Sequence, residues 1–185
     1  NTVIVSNFSR GVRTQVGDLV IMSDSGKEIV DRLRRLEVDS DMLPRLRLAG
    51  LRKVMGESLY QDRFAYIISK IAGIEPPSLF PQIFVAAYVE TPEQAAVVQR
   101  MFFSQTYERK ELLLISTDDW VLRYVACEET VSVVFAAGWG EKLQSLPPEA
   151  WLACMSPDDF YAPSYLTDMA LATRFAGTDA VGKGT

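Results

Sequence analysis

The sequence predicts an α/β fold with a mostly parallel sheet flanked by helices. Three observations carry this. Residues 83–89 (IFVAAYV) form a continuous apolar run, as expected of a strand buried on both faces. Thr91-Pro92-Glu93-Gln94 follows at once as a helix start: Thr91 caps, Pro92 sits at the first helical position, and Gln94 completes a T-x-x-Q box. A second run, 110–115, then opens a strand, which makes a strand–helix–strand crossover of the kind that joins parallel neighbours.

The elements before this crossover are read in order. Residues 2–6 and 18–22 are short apolar runs bounded by Asn, Gly, Ser and Asp, and predict strands, with 8–17 as a polar loop between them. Ser25 and Glu28 form a capping box, and Ile29, Val30, Leu33 and Leu36 mark the apolar face of the helix that follows. After a break at 38–41 one long helical region is expected. It carries Leu46, Leu51, Val54 and Met55, then Tyr60, Phe64, Ile67, Ile68 and Ile71. Gly73 suits the position just past its end, and Pro76-Pro77 forbids continuation. Residues 1–75 therefore read as an N-terminal strand–strand–helix–helix segment, 76–82 as a linker, and 83–185 as a second unit. The cluster Arg32, Arg34, Arg35, Arg45, Arg47, Arg52 and Lys53 reads first as a solvated helical face, with contact to an acidic partner or phosphate as the alternative.

In the second unit the helix from Thr91 directs Ala95, Val98, Met101 and Phe102 to a core. Residues 124–126 and 131–137 read as strand, 127–130 as a polar break, and 138–148 as irregular chain with a short helical turn. The stretch 151–155 (WLACM) fits a buried strand stopped by Ser156-Pro157, with Asp158 and Asp159 just past its end. Beyond Pro163, Tyr165, Leu166, Met169, Ala170, Ala172 and Phe175 form an amphipathic helix ended by Gly177, and Ala180-Val181 starts a further strand. The strand edges at Tyr88, Val89, Glu90 and Thr91 and at Ser116, Thr117, Asp118 and Asp119 face one crevice, the usual ligand position in open α/β sheets. The pair Asp158 and Asp159 suits a hard divalent cation, or else forms an ordinary turn with Pro157. Trp120, Trp139, Trp151, Tyr161 and Tyr165 read first as packing residues; sugar stacking by one tryptophan, and a role for the two tyrosines beside the acidic loop they flank, are the alternatives.

Composition limits the function. At 48% hydrophobic and 23% charged over 185 residues, the chain has ordinary globular composition. A net charge of −5 lacks the basic footprint of a nucleic-acid binder. No run reaches the roughly 18–20 apolar residues of a membrane helix, and the opening residues lack a signal-peptide pattern. Cys127 and Cys154 form no CxxC; a reduced, cytoplasmic setting fits, and one disulfide stays open. With no histidine, this segment holds no His base, Ser-His-Asp triad or His-ligated metal. Neither the G-x-G-x-x-G nor the G-x-x-x-x-G-K-[ST] pattern is present. Starting on Asn1 and stopping just after an expected strand start, the chain reads as part of a longer protein.

The order of these signals resembles a known family. Residues 83–116, with the phrase Ser104-Gln105-Thr106-Tyr107 between helix and strand, look like the opening of family-2 glycosyltransferases of the GT-A (Rossmann-like) fold. Met155, Asp158, Asp159, Tyr161, Pro163, Tyr165, Leu166, Asp168, Val181, Gly182 and Lys183 match the acidic metal motif of bacterial members. Ser156 stands where that motif has its first aspartate, and Ser116 where the second strand has its acidic residue. Residues 1–75 resemble the tail of a GT-B-type glycosyltransferase domain, with 52–73, including Tyr60 and Arg63, as its end helix.

The resemblance implies that 83–185 is the donor-binding half of a GT-A-like domain, incomplete at its C-terminus. Tyr88, Val89, Glu90, Thr91, Ser116, Asp118, Asp119 and Ser156 would bind a nucleotide-sugar, a UDP-sugar by expectation. Asp158 and Asp159 would hold Mn²⁺ or Mg²⁺ against its diphosphate, with the general base beyond Thr185. The implied activity is metal-assisted sugar transfer to a cell-surface glycan acceptor in bacterial polysaccharide biosynthesis. It would take place in the cytoplasm or at the inner face of the membrane. Two alternatives stay open: a catalytically degenerate module of the same fold with a nucleotide-binding or scaffolding role, and an unrelated α/β domain.

Overall fold

The computed structural model describes residues 3–75, 78–123 and 128–182. The chain forms two compact units, Asn1–Pro76 and Pro77–Thr185.

The first unit contains β1 (Ile4–Ser6), α1 (Arg10–Val16), β2 (Val20–Met22), α2 (Gly26–Val38), α3 (Met42–Glu57) and α4 (Tyr60–Ala72). β1 and β2 pair in parallel, Ile4 opposite Val20. Parallel neighbours cannot be joined by a tight hairpin, so the stretch expected as a loop is the crossover helix α1. Its N-cap is Ser9, whose hydroxyl accepts the Val12 N–H. A polar helix that buries no residue leaves no apolar stripe to read.

Only half of the box expected at α2 forms. The Ser25 hydroxyl accepts the Glu28 N–H at 3.4 Å, but the Glu28 carboxylate turns to Ser23 Oγ at 2.6 Å and to Arg32. The Ser25 N–H goes instead to Ser23 Oγ at 3.0 Å. These contacts, Ser23 foremost, hold the Glu28 carboxyl below its ordinary range.

The single long helix expected after residue 41 is two helices. Asp62 accepts the Leu59 N–H at 3.0 Å and caps a new start at Tyr60. The face Tyr60, Phe64, Ile67, Ile68 and Ile71 is exposed, and α4 buries none of its residues. Gly73 ends α4 in the left-handed conformation, φ 66°. Within the basic cluster Arg32, Arg34, Arg45 and Lys53 pair with carboxylates three or four residues away on exposed helix surface, as a solvated face does.

The second unit contains β3 (Ile83–Tyr88), α5 (Pro92–Ser104), β4 (Lys110–Ser116), α6 (Asp119–Arg123), β5 (Val131–Phe135), α7 (Trp139–Gln144), β6 (Trp151–Cys154) and α8 (Tyr165–Ala176). All strand pairs are parallel, in the order β5-β4-β3-β6. This is an α/β unit compatible with a Rossmann-like fold. One sheet face (Ile83, Val85, Ala87, Leu112, Leu114) packs on Ala95, Val98 and Phe102 of α5 and Leu166 and Ala170 of α8. A smaller cluster, Ala86, Ile115 and Val134, meets Trp139.

Several boundaries differ from expectation. The strand expected over 131–137 stops at Phe135, because Ala136–Gly138 form a 3-10 turn that runs into α7. α6 was not expected; the strand expected at 124–126 lies outside the described residues. Ala180 and Val181 do not form the expected strand: the Thr178 hydroxyl donates to the Ala180 carbonyl at 2.8 Å and holds the chain in a bend. No helix among the described residues is long and apolar enough to cross a membrane.

Strand order fixes where a site can lie. From β3 the chain moves outward to β4 and β5, then returns to place β6 on the other side of β3. Connections diverge at that reversal and leave a crevice outside the carboxyl ends of β3 and β6.

Candidate functional site

A cavity of about 660 Å³ opens at this reversal, lined by Ala86, Tyr88, Glu90, Gln94, Ile115, Trp139 and the run 154–159 with Tyr161. Each wall has a local cause. β3 ends at Tyr88, and the Thr91 hydroxyl accepts the Gln94 N–H at 3.3 Å to begin α5. The Gln94 side chain folds back to accept the Glu90 N–H at 2.8 Å, which fixes the strand-to-helix turn under the cavity rim. Trp139 arrives from the start of α7 and packs on Ala86 of β3, Ile115 of β4 and Val134 of β5.

The acidic wall is a loop folded on its own serine and tyrosine. The Ser156 hydroxyl accepts the Asp158 N–H at 3.2 Å, and the Asp159 N–H reaches the Ser156 carbonyl at 3.3 Å. The Tyr161 hydroxyl accepts the Ser156 N–H at 3.1 Å and donates to Asp159 Oδ2 at 3.3 Å. Burial pushes the Tyr161 phenol above its ordinary pKa. The Ser156 N–H opposes this, and the Asp159 charge adds to it. Both carboxylates are exposed to solvent.

Five residues expected in the site meet here: Tyr88, Glu90, Ser156, Asp158 and Asp159. The other five do not line the cavity. Val89 is fully buried in the core, its N–H on the Ile115 carbonyl. The Thr91 hydroxyl is occupied by its cap. Ser116 is fully buried, and its hydroxyl accepts the Asp118 N–H at 3.2 Å. Asp119 pairs with Arg123 along α6. The two strand edges are neighbours, with Tyr88 paired to Ile115 and the Tyr88 and Thr117 hydroxyls 3.5 Å apart, yet Ser116 and Asp119 spend their polar groups within the second edge. Gln94 was not expected to line the site, and Trp139 and Tyr161, read first as packing residues, line it too. Gln94 carried a signal in its place three residues after a cap, directly beyond a strand. Trp139 offered only its flanking glycines, Gly138 and Gly140.

The cavity wall carries three carboxylates, Glu90, Asp158 and Asp159, and no lysine or arginine. Among the described residues no group of three or more Asp, Glu, Cys or His could hold a metal ion. Two adjacent exposed carboxylates nevertheless suit Mg²⁺ or Mn²⁺ of the kind held by one or two carboxylates, waters and substrate phosphates. The donor set fits a cation shared with a diphosphate, and does not fit one caged by protein alone.

Fold and site together define a parallel α/β unit with an acidic cavity at its topological switch point. Comparison with protein-family models, curated proteins and solved structures returned no match.

Proposed function

We propose that the second unit binds a nucleotide diphosphate-sugar through a divalent cation at Asp158 and Asp159. On this reading it is the donor-binding part of a GT-A-like glycosyltransferase that transfers the sugar to a glycan acceptor. The observation that supports this most is the charge of the cavity. A wall with three carboxylates and no basic side chain repels a bare diphosphate and accepts one only beside a cation. The cation, when bound, neutralises charge developing on the diphosphate leaving group. The protein's own residues position and orient: Asp158 and Asp159 supply oxygen ligands, Tyr161 fixes the Asp159 carboxylate, and Tyr88 and Trp139 offer aromatic walls for a base or sugar ring.

A second reading has a specific observation in its favour. Ser156 occupies the place of an acidic residue in the resembling motif, and its hydroxyl is turned to the Asp158 N–H. This favours a module that binds nucleotide without transferring sugar. Calorimetric titration of UDP and UDP-sugars into the protein, with and without Mn²⁺, tests the shared core of both readings. Binding that requires Mn²⁺ and is lost in Asp158→Ala supports it; absence of binding under every metal condition sinks it. Sugar release from the donor, measured on the same protein, separates transferase from binding module.

A further inference from the structure

The acidic loop, residues 156–164, has no regular secondary structure, yet it is fastened at a second place, along the backbone of residues 161–163. α5 starts at the carboxyl edge of β3 and carries the chain back to the start of β4. Gln105, directly after α5, is therefore at the end of the helix away from the cavity rim. The residue is 3% exposed. Its amide nitrogen lies 3.4 Å from the Tyr161 carbonyl, 3.0 Å from the Ala162 carbonyl and 3.4 Å from the Met101 carbonyl. Its amide oxygen accepts the Leu166 N–H at 3.1 Å. Thr106 adds a parallel tie: its N–H reaches the Pro163 carbonyl at 2.8 Å, and its hydroxyl the same carbonyl at 3.1 Å.

A buried primary amide has two donors and an acceptor to satisfy, and Gln105 places all of them on the loop, its exit into α8 and its own helix. Tyr161 carries the tie onward. Its carbonyl is held by Gln105, and its hydroxyl holds the Ser156 N–H and the Asp159 carboxylate. Its ring meets Tyr165 edge-on at 5.0 Å, which limits rotation of the strut.

We propose that Gln105, acting through Tyr161, is a positioning residue that sets the shape in which the loop presents Asp158 and Asp159. The consequence for ligand rests on the proposed metal–diphosphate reading; the mechanical coupling does not. A glutamine serving only to satisfy local backbone groups would, when lost, disturb Leu166 and Ala162 and leave Ser156 and Asp159 unchanged.

The test uses the full chain and three variants. Gln105→Met keeps the length and removes donors and acceptor. Gln105→Glu keeps the acceptor for Leu166 and leaves at most one donor, the proton of a neutral carboxyl, for the carbonyls of Met101, Tyr161 and Ala162. Thr106→Val, at an exposed position, removes the hydroxyl tie. Amide hydrogen exchange is read by NMR without ligand, and Mn²⁺–UDP affinity by calorimetry. In Gln105→Glu the Leu166 amide stays protected, while the Ser156 amide exchanges about tenfold faster, the loss expected of one or two buried hydrogen bonds. Mn²⁺–UDP affinity falls by a similar factor, with β3 and β4 amides unchanged. Ser156 exchange at the wild-type rate in both Gln105 variants overturns the proposal. Should Gln105→Met not fold, Gln105→Glu and Thr106→Val decide by the same readout, and wild-type Ser156 exchange in both overturns it. If the wild-type protein fails to bind Mn²⁺–UDP, the functional reading falls, and the ligand-free exchange still decides the coupling.

Discussion

Replacing Tyr161 by phenylalanine removes one oxygen from the acidic loop and leaves the ring against Tyr165. The lost atom accepts the Ser156 N–H at 3.1 Å and donates to Asp159 at 3.3 Å. Ser156 is half-buried, so the first bond falls in the ordinary net range of about 0.5–1.5 kcal/mol. Asp159 is exposed, and water screens the second bond to below about 1 kcal/mol. The expected loss is about 1–2 kcal/mol, which for a unit of roughly 100 residues lowers the melting temperature by about 5–10 °C. Scanning calorimetry of the full chain, with near-ultraviolet circular dichroism to follow the aromatic cluster, measures it. Faster exchange at the Ser156 amide should accompany the shift. A melting temperature within about 1 °C of wild type, with Ser156 exchange unchanged, refutes the claim that the phenol organises this loop.

Three further outcomes follow from the packing and the ionisable groups. Burial lifts the Tyr107 phenol from its ordinary 10 to about 12, and its hydroxyl donates to the Pro81 carbonyl at 2.5 Å. The unfolded chain therefore ionises first, so this stabilisation is complete below pH 10 and is lost as pH rises toward 12; alkaline melting curves of Tyr107→Phe should show a smaller fall, the raised Tyr161 phenol supplying part of the remainder. Phe102 is fully buried between α5 and the sheet. Phe102→Ala should cost about 3–5 kcal/mol of denaturant stability, and a loss below about 1 kcal/mol would contradict the packing. In the first unit, Ser23→Ala should lower the melting temperature more than Ser25→Ala, because Ser23 serves both Ser25 and Glu28; the reverse order would return the cap to the expected box.

The parts of this chain legible from sequence are those whose signal is local. β3 and β4 are buried on both faces and so read as unbroken apolar runs. Thr91-Pro92 marks the start of α5, and Gly177 the end of α8. α1 is hidden because it buries nothing and is required only by the parallel pairing of β1 and β2. The break between α3 and α4 is hidden because a carboxylate three residues inside the next helix makes it. At the site, Asp158 and Asp159 are legible as carboxylates just past a strand. Ser116 misleads because the last residue of a strand can face the interior, and here it does. Gln94 and Trp139 reach the cavity from other elements, and no spacing rule connects them to residues 156–159. Gln105 is the clearest case: its position in the phrase Ser104-Gln105-Thr106-Tyr107 is visible, but its bonds to residues 161–166 exist only once α5 and the loop are packed together.

The central claim is that the carboxylate-lined cavity between β3 and β6 accepts a diphosphate only together with a divalent cation at Asp158 and Asp159. Paramagnetic broadening tests it most directly. Adding substoichiometric Mn²⁺ with UDP to the labelled full chain should broaden the amides of 156–161 and of Tyr88 and Glu90. Broadening should weaken along β3 and β4 from their carboxyl ends toward Ile83 and Lys110, and UDP alone should shift none of these amides. Equal broadening in wild type and in the double substitution Asp158→Asn with Asp159→Asn, or shifts at the cavity from UDP without metal, would contradict the account.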